Sequence, residues 1–346
     1  MTSQFRDEIY EQPDVIRHLV QDENGQIRRL VEKLKSKPPS YIIIGARGTS
    51  DNAATYAKYL FGMFNQISVG LAMPSLFTIY KKPPLMHDGL VIGISQAGQT
   101  PDVLSIFAEA KRQGVASVAI TNKADSPMSL AADDTIDLNA GIEKAVPASK
   151  SYTAQLTAIA AIAAHWAGDI KLIQELDGLA DLVQEVLAQE SAAKAAAKRF
   201  AKMNYLVVVG RGLNQCTASE VALKIKELAY MVAESYSAAD FRHGPIAMLD
   251  DEFPVVAVAP QGMAEEDMSQ MIGEIRQTKA ELAVISNEDS LLAQCELPIR
   301  LPANLAEWLS PIVATIPGQL LALHLCLEKG YEPDRPRGLK KVTLTR

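Results

Sequence analysis

Two short stretches of the chain carry nearly the same pattern of apolar and polar positions. Residues 41–45 and 205–209 are continuous apolar runs rich in β-branched side chains. Each leads into a glycine-containing turn, Gly45 to Gly48 in the first and Gly210 to Gly212 in the second, and a helical pattern follows. Strands buried on both faces of a parallel sheet read as such runs, and open α/β sheets bind ligands where these strands meet helix N-termini. Similar runs follow at 90–95, 115–121 and 135–138 in the first half, and at 254–259 and 281–286 in the second. Helices fit the segments between them: 50–64, a helix that starts at Pro101 and closes at Gly114, and 305–329 ended by Gly330. Residues 150–202 lack strand signals and read as helical throughout. At the start, 5–35 has helical apolar spacing broken at Pro13 and Gly25, which fits two helices, and Lys37 to Ser40 form a stop and turn.

The alternation of strand and helix predicts an α/β chain of two tandem, doubly wound, flavodoxin-like domains with central parallel sheets. The expected boundaries are an N-terminal helical segment at 1–35, a first domain at 36–165 and inter-domain helices at 166–200. A second domain at 201–330 and a tail at 331–346 complete the chain.

Composition narrows the function. With 48% hydrophobic and 22% charged residues, a chain of 346 residues has the means for a large core. A net charge of −7 argues against generic binding to nucleic acid or to an anionic membrane. The apolar segments 153–168 and 311–327 are interrupted by polar residues such as Gln155, His165, Gln319 and His324, short of the roughly 20 apolar residues of a span, and read as buried helices. Met1 to Glu8 carry charges where a signal peptide needs an apolar stretch, so a cytoplasmic location is expected. Cys216, Cys295 and Cys326 are odd in number and far apart, which suits inert thiols in a reducing compartment. No metal-ligand spacing is present, and no cofactor is expected.

Candidate chemistry concentrates in three places. Gly48, Thr49 and Ser50, with Ser95, Gln96, Ala97, Gly98, Gln99 and Thr100, lie where strands turn into helices. Glycines there allow close backbone approach, and hydroxyls and helix N-termini suit an anion such as phosphate. The competing reading makes Ser50 and Thr100 ordinary helix caps. Having two such loops in one half, and Leu213 and Asn214 at the matching turn of the other, favours phosphate. Neither turn completes the glycine fingerprint of a dinucleotide site. Next, Glu220, Lys224 and Glu227 share one helix face by spacing, and by spacing alone a surface pair of Glu220 with Lys224 beside a solvated Glu227 is the favoured explanation. The apolar neighbours Val221, Leu223, Ile225 and Leu228 leave little room for an exposed face. Last, His243 precedes Gly244 and Pro245 in a tight turn, placed either for acid–base work or for a bond to nearby backbone.

Taken together these residues resemble the sugar isomerase (SIS) family. Within it, the chain is similar to the isomerase half of glutamine-fructose-6-phosphate transaminase and to the stand-alone SIS-type glucosamine-6-phosphate deaminases. The likeness runs from Glu8 through Lys341 and includes the stretch Ser149 to Thr153. It implies that Gly48, Thr49, Ser50, Ser95, Gln96, Ala97 and Thr100 line the phosphate site, with Val146 and Ala148 at further substrate-contact positions. It implies that Glu227 shuttles the proton between C1 and C2. His243 assists ring opening from a neighbouring subunit of a homodimer, and Lys341 of the tail, with Lys340 as its alternative, reaches the reacting carbon. Lys224 and Glu220 match the remaining helix positions. Ala97 stands where the family commonly has serine, and Pro147 and Ala148 replace an alanine–serine pair. The transaminase carries a glutaminase domain where this chain has residues 1–35, so the ammonia-releasing direction is expected: glucosamine 6-phosphate and water to fructose 6-phosphate and ammonia. The alternatives are the galacto epimer, an isomerisation without nitrogen chemistry, and a non-catalytic phosphosugar sensor.

Overall fold

The computed structural model describes residues 3–21 and 25–341; the end of the expected tail, 342–346, lies outside the described residues. The chain forms two compact units, each built around one sheet. Among the described residues, the first-sheet unit comprises 14–143, 150–178 and 340–341, and the second-sheet unit comprises 3–13, 144–149 and 179–339.

Strands β1 (Tyr41–Gly45), β2 (Val69–Leu71), β3 (Gly89–Ile94), β4 (Ala116–Thr121) and β5 (Asp134–Asp137) form the first sheet, in the order β2-β1-β3-β4-β5. Strands β6 (Tyr205–Gly210), β7 (Val232–Ser237), β8 (Pro254–Val258), β9 (Glu281–Ser286) and β10 (Leu297–Arg300) form the second, in the order β10-β9-β8-β6-β7. Every pairing is parallel. The two sheets share one topology, the flavodoxin-like order, whose direction of winding reverses between β1 and β3 and between β6 and β8. A crevice opens beyond the strand ends at such a switch point. Gly45 pairs with Gly93, so β1 and β3 end nearly flush and deliver their two loops side by side.

The central strands follow the apolar runs, whereas β2, β7 and β10 carry no such run. They are short or polar, and their pairing with β1, β6 and β9 gives them strand form. The N-terminal segment forms three helices, Gln4–Tyr10, Gln12–Gln21 and Gln26–Ser36, where spacing suggested two. Pro13 sits in the first turn of the second helix, where its missing N–H breaks no bond, so the interruption falls before it. The helix Ser310–Glu328 is long and apolar enough to pass for a span by composition, yet its apolar stretch is buried throughout the second-sheet unit. It is a core helix. Lys150–Ala167 plays the same part in the first-sheet unit, buried from Lys150 to Ala164.

Within the second-sheet unit, Glu190 gathers the first helix. Arg6 donates to both its oxygens at 2.9 and 2.7 Å, the Tyr10 hydroxyl donates at 2.6 Å, and His324 Nε2 lies 3.2 Å away. The Arg6 bonds hold the Glu190 carboxyl down at about 2, and burial pushes the Tyr10 phenol up to about 12. A carboxyl depressed on folding adds stability above its unfolded pKa and loses it as pH falls through the folded value. The Glu190 contribution is therefore expected at neutral pH and lost between about pH 4.5 and 2. Solvent reaches the edge of this cluster, so the effect is on the order of 1–2 kcal/mol. Urea unfolding of Glu190→Gln against the parent should show a gap at pH 7 that closes by about pH 2. A gap independent of pH would overturn the assignment.

Candidate active site

From Gly45 the chain turns through Ala46, Arg47 and Gly48 into the helix Thr49–Asn65. Gly48 adopts φ 56° and ψ −130°, a region that favours glycine. It is Gly48 that flanks this helix, with Ser50 inside the first turn. Ser50 is buried, and its Oγ accepts a hydrogen bond from Gln155 Nε2 at 3.1 Å. From β3 the chain enters Ser95, whose Oγ accepts from the Gly98 N–H at 3.1 Å. Gly98 has φ 61°, and a Cβ there would fall 2.2 Å from Ser126 Oγ, so the turn requires glycine twice over. Thr100 flanks the helix Pro101–Gln113 but makes no side-chain capping bond. Neither Ser50 nor Thr100 is an ordinary cap. The Gln96 carbonyl accepts from Thr121 Oγ1 at 3.3 Å and Asn122 N at 3.1 Å, which fixes the middle of the loop. Ala97 is buried and offers no side-chain donor.

Arg47 ties the two loops together. Its Nε and Nη2 both donate to Asp102 Oδ2, at 2.9 and 2.7 Å, and Thr78 Oγ1 donates to Asp102 Oδ1 at 3.3 Å. The second-sheet unit repeats the device: Arg211 Nε lies 2.6 Å from Asp267 Oδ2, and Gly212 has the same φ of 56° as Gly48. An ion pair present in both halves belongs to the shared scaffold.

The halves part at the crevice itself. In the second-sheet unit, Glu307 accepts from the N–H groups of Met263 and Ala264 at 2.9 and 3.3 Å, at the turn into the helix Glu265–Gln277. A Cβ on Gly262 would fall 2.3 Å from Glu307 Cδ. The chain's own carboxylate thus takes up backbone N–H groups at this turn, where a helix N-terminus would otherwise suit an anion. Asn214, the counterpart of Ser50, is likewise spent: its Nδ2 donates to Ser310 Oγ at 2.7 Å and its Oδ1 accepts from Thr217 at 3.0 Å.

A third cluster in the first-sheet unit holds the tail. Lys341 Nζ donates to Glu143 Oε2 at 2.6 Å, and the Glu143 side chain is fully buried. Ser151 supports that carboxylate with its N–H at 3.0 Å and its hydroxyl at 2.7 Å. Lys340 is exposed. Val146 and Ala148 fall in the second-sheet unit, both half-buried, with Val146 N bonded to Asp334 O at 3.0 Å.

Also in the second-sheet unit, the helix Gln215–Ala229 carries Glu220, Lys224 and Glu227. Lys224 Nζ lies 2.5 Å from Glu227 Oε2 and 3.5 Å from Glu220 Oε1. The side chains of Lys224 and Glu220 are 1% and 0% exposed, whereas that of Glu227 is 22% exposed. This is no surface pair. A buried ammonium sits between two carboxylates, and Glu227 reaches solvent. His243 follows the short helix Ala238–Arg242, exposed, with its backbone N–H bonded to Asp240 O at 3.1 Å.

The first-sheet unit thus brings together Gly48, Thr49, Ser50, Ser95, Gln96, Ala97 and Thr100, and also holds Lys341. Glu220, Lys224, Glu227, His243, Val146 and Ala148 lie in the other unit. Sequence reasoning missed Gln155, Glu143, Ser151, Asp102 and Glu307. Gln155 did leave a signal, as a lone amide in a helix otherwise made largely of small and apolar residues. Among the described residues, no group of three or more His, Cys, Asp and Glu side chains is placed to hold a metal.

The SIS domain profile matches residues 36–165 and 199–329. The chain is 35% identical to the isomerizing glutamine–fructose-6-phosphate aminotransferase of Thermococcus kodakarensis and 36% identical to that of Gloeobacter violaceus, with 96% of this chain covered in each. It spans 56% and 57% of those relatives, little more than half their length. The C-terminal domain of glucosamine-fructose-6-phosphate aminotransferase from Francisella tularensis superposes with a TM-score of 0.89 at 27% identity, covering 97% of this chain and 99% of that one. The glucosamine-6-phosphate deaminase of Thermotoga maritima shares the fold, with a TM-score of 0.79 at 20% identity over 99% of this chain and 100% of that one.

Proposed function

The chain belongs to the SIS domain family, and from that premise we propose that it is a phosphosugar isomerase that converts glucosamine 6-phosphate and water to fructose 6-phosphate and ammonia. The observation that carries this reading is the Glu220–Lys224–Glu227 triad. A carboxylate that reaches solvent beside a buried ammonium suits a base that takes a proton from one carbon and returns it to the next. The open loops around Ser50 and Ser95 supply the remote anchor, since binding energy spent on a phosphate holds the reacting carbons in place.

In the proposed sequence His243 opens the pyranose by proton transfer between the ring oxygen and the C1 hydroxyl. Glu227 then removes the C2 proton of the open-chain aldehyde and delivers it to C1. In that transfer the aldehyde oxygen gains a proton and the amino nitrogen gives one up, so the enolamine becomes a C2 imine beside a C1 hydroxyl; water then adds to C2 and expels ammonia, which leaves the ketose. Lys224 balances the charge on Glu227 as the proton comes and goes. Lys341, held by Glu143, is the tail group assigned to the open-chain carbonyl. The exposure of His243 on its own unit suits a role in the site of a second copy.

Incubation with glucosamine 6-phosphate should release ammonia and fructose 6-phosphate in equal amounts. Tight binding of the substrate with no ammonia would overturn the deaminase reading and favour a sensor. A higher kcat/KM on galactosamine 6-phosphate would reassign the epimer.

A further inference from the structure

We propose that Gln155 is a positioning residue that presets Ser50 as a hydrogen-bond donor, and so tunes the first-sheet crevice for a fully ionised phosphate. A serine hydroxyl has one proton to give and lone pairs to accept with. At Ser50 one lone pair is taken by Gln155 Nε2 at 3.1 Å, while its proton has no acceptor among the described residues. Ser50 is 7% exposed, so a proton left without an acceptor there is costly unless something in the crevice takes it. Ser95, 8% exposed, repeats the arrangement: its Oγ accepts from Gly98 N at 3.1 Å, and its proton too has no acceptor among the described residues. Both serines therefore keep a proton to donate. A phosphate dianion, which accepts and cannot donate, is the matching ligand.

The second-sheet unit provides an internal contrast. Asn214 occupies the place of Ser50, and both ends of its amide are used by the protein. The backbone N–H groups of Met263 and Ala264 nearby are taken by Glu307. One copy is closed on itself, and the other is left with unspent donors. Gln155 itself is 1% exposed, and its Oε1 has no hydrogen-bond partner among the described residues. Packing does not account for a buried amide that makes one bond with its nitrogen and none with its oxygen. Its bond to Ser50, 105 residues away, does.

This inference rests on the phosphate reading above, and the test separates the two. The probe is glucitol 6-phosphate, a hexitol phosphate with no carbonyl to turn over, measured by calorimetry at pH 8 with unphosphorylated glucitol as the control. Gln155→Met should weaken binding roughly tenfold, the loss typical of one hydrogen bond to a charged group. Ser50→Ala should cost at least as much, and adding Gln155→Met to Ser50→Ala should cost nothing more. Gln155→Glu keeps the shape but can only accept, turning the Ser50 proton inward, and should bind more weakly still. It also covers the case in which the methionine variant fails to fold. Equal losses from Gln155→Met with and without Ser50 would mean a merely structural role and overturn the inference, as would unchanged binding in Gln155→Met while Ser50→Ala is impaired. If the parent binds glucitol 6-phosphate no better than glucitol, the phosphate reading falls, and this inference with it.

Discussion

Glu227→Gln is expected to lose about 10²- to 10⁴-fold in turnover on glucosamine 6-phosphate, the usual range for removing a positioned general base. The glutamine keeps the size of the side chain and can still meet Lys224, which lies 2.5 Å from Glu227 Oε2, but it cannot take a proton from carbon. The loss should therefore appear in kcat, with affinity for glucitol 6-phosphate changed little. A second readout is exchange of the C2 proton of the substrate with solvent, followed by NMR in heavy water, which should stop with turnover. A variant within about threefold of the parent in both measurements would remove Glu227 from the chemistry.

The second large effect is on the folded state. Lys224→Met should destabilise the protein by about 3–5 kcal/mol, because it takes the paired ammonium away from the wholly buried Glu220 carboxylate. Methionine fills a similar volume, so a cavity is not the cause. The double variant Lys224→Met, Glu220→Leu should recover most of that stability, since a buried pair replaced by apolar side chains is often neutral. Urea unfolding of the parent, the single and the double variant measures both numbers. A double variant as unstable as the single one would show that steric fit, and not the lost ion pair, sets the cost. Both variants should be inactive, which separates the stability of the triad from its use.

The inner strands were legible because a strand covered on both faces must be apolar at every position, as in Ile42 to Ile44 or Val207 to Val209. The edge strands were not. Val232–Ser237 reads as a mixed polar segment, and it is a strand because β6 offers it a row of paired backbone groups. Leu297–Arg300 carries Pro298 and no apolar run, and a proline is tolerated there because an edge strand leaves its missing N–H unneeded. The helix carrying Glu220, Lys224 and Glu227 was placed by spacing, but spacing could not say which way that face points. Burial decided it, and turned an apparent surface pair into an enclosed charge cluster.

The duplicated strand-and-turn pattern, the parallel sheets and the hydroxyl-rich loops of the first half were properties of the sequence itself. They depend on local periodicity and on residue types at a turn, and neither needs a distant partner to be recognised. The inequality of the two halves was also legible in the residue types at their turns, but which side chains the protein itself uses up was decided only in three dimensions. Gln155 reaches Ser50 across 105 residues, and Lys341 reaches Glu143 across 198. Glu307 closes the second copy from 44 residues beyond Met263. A hydrogen bond depends on the separation and direction of two groups in space, so the donors and acceptors left over for a ligand are known only after the fold has spent the rest.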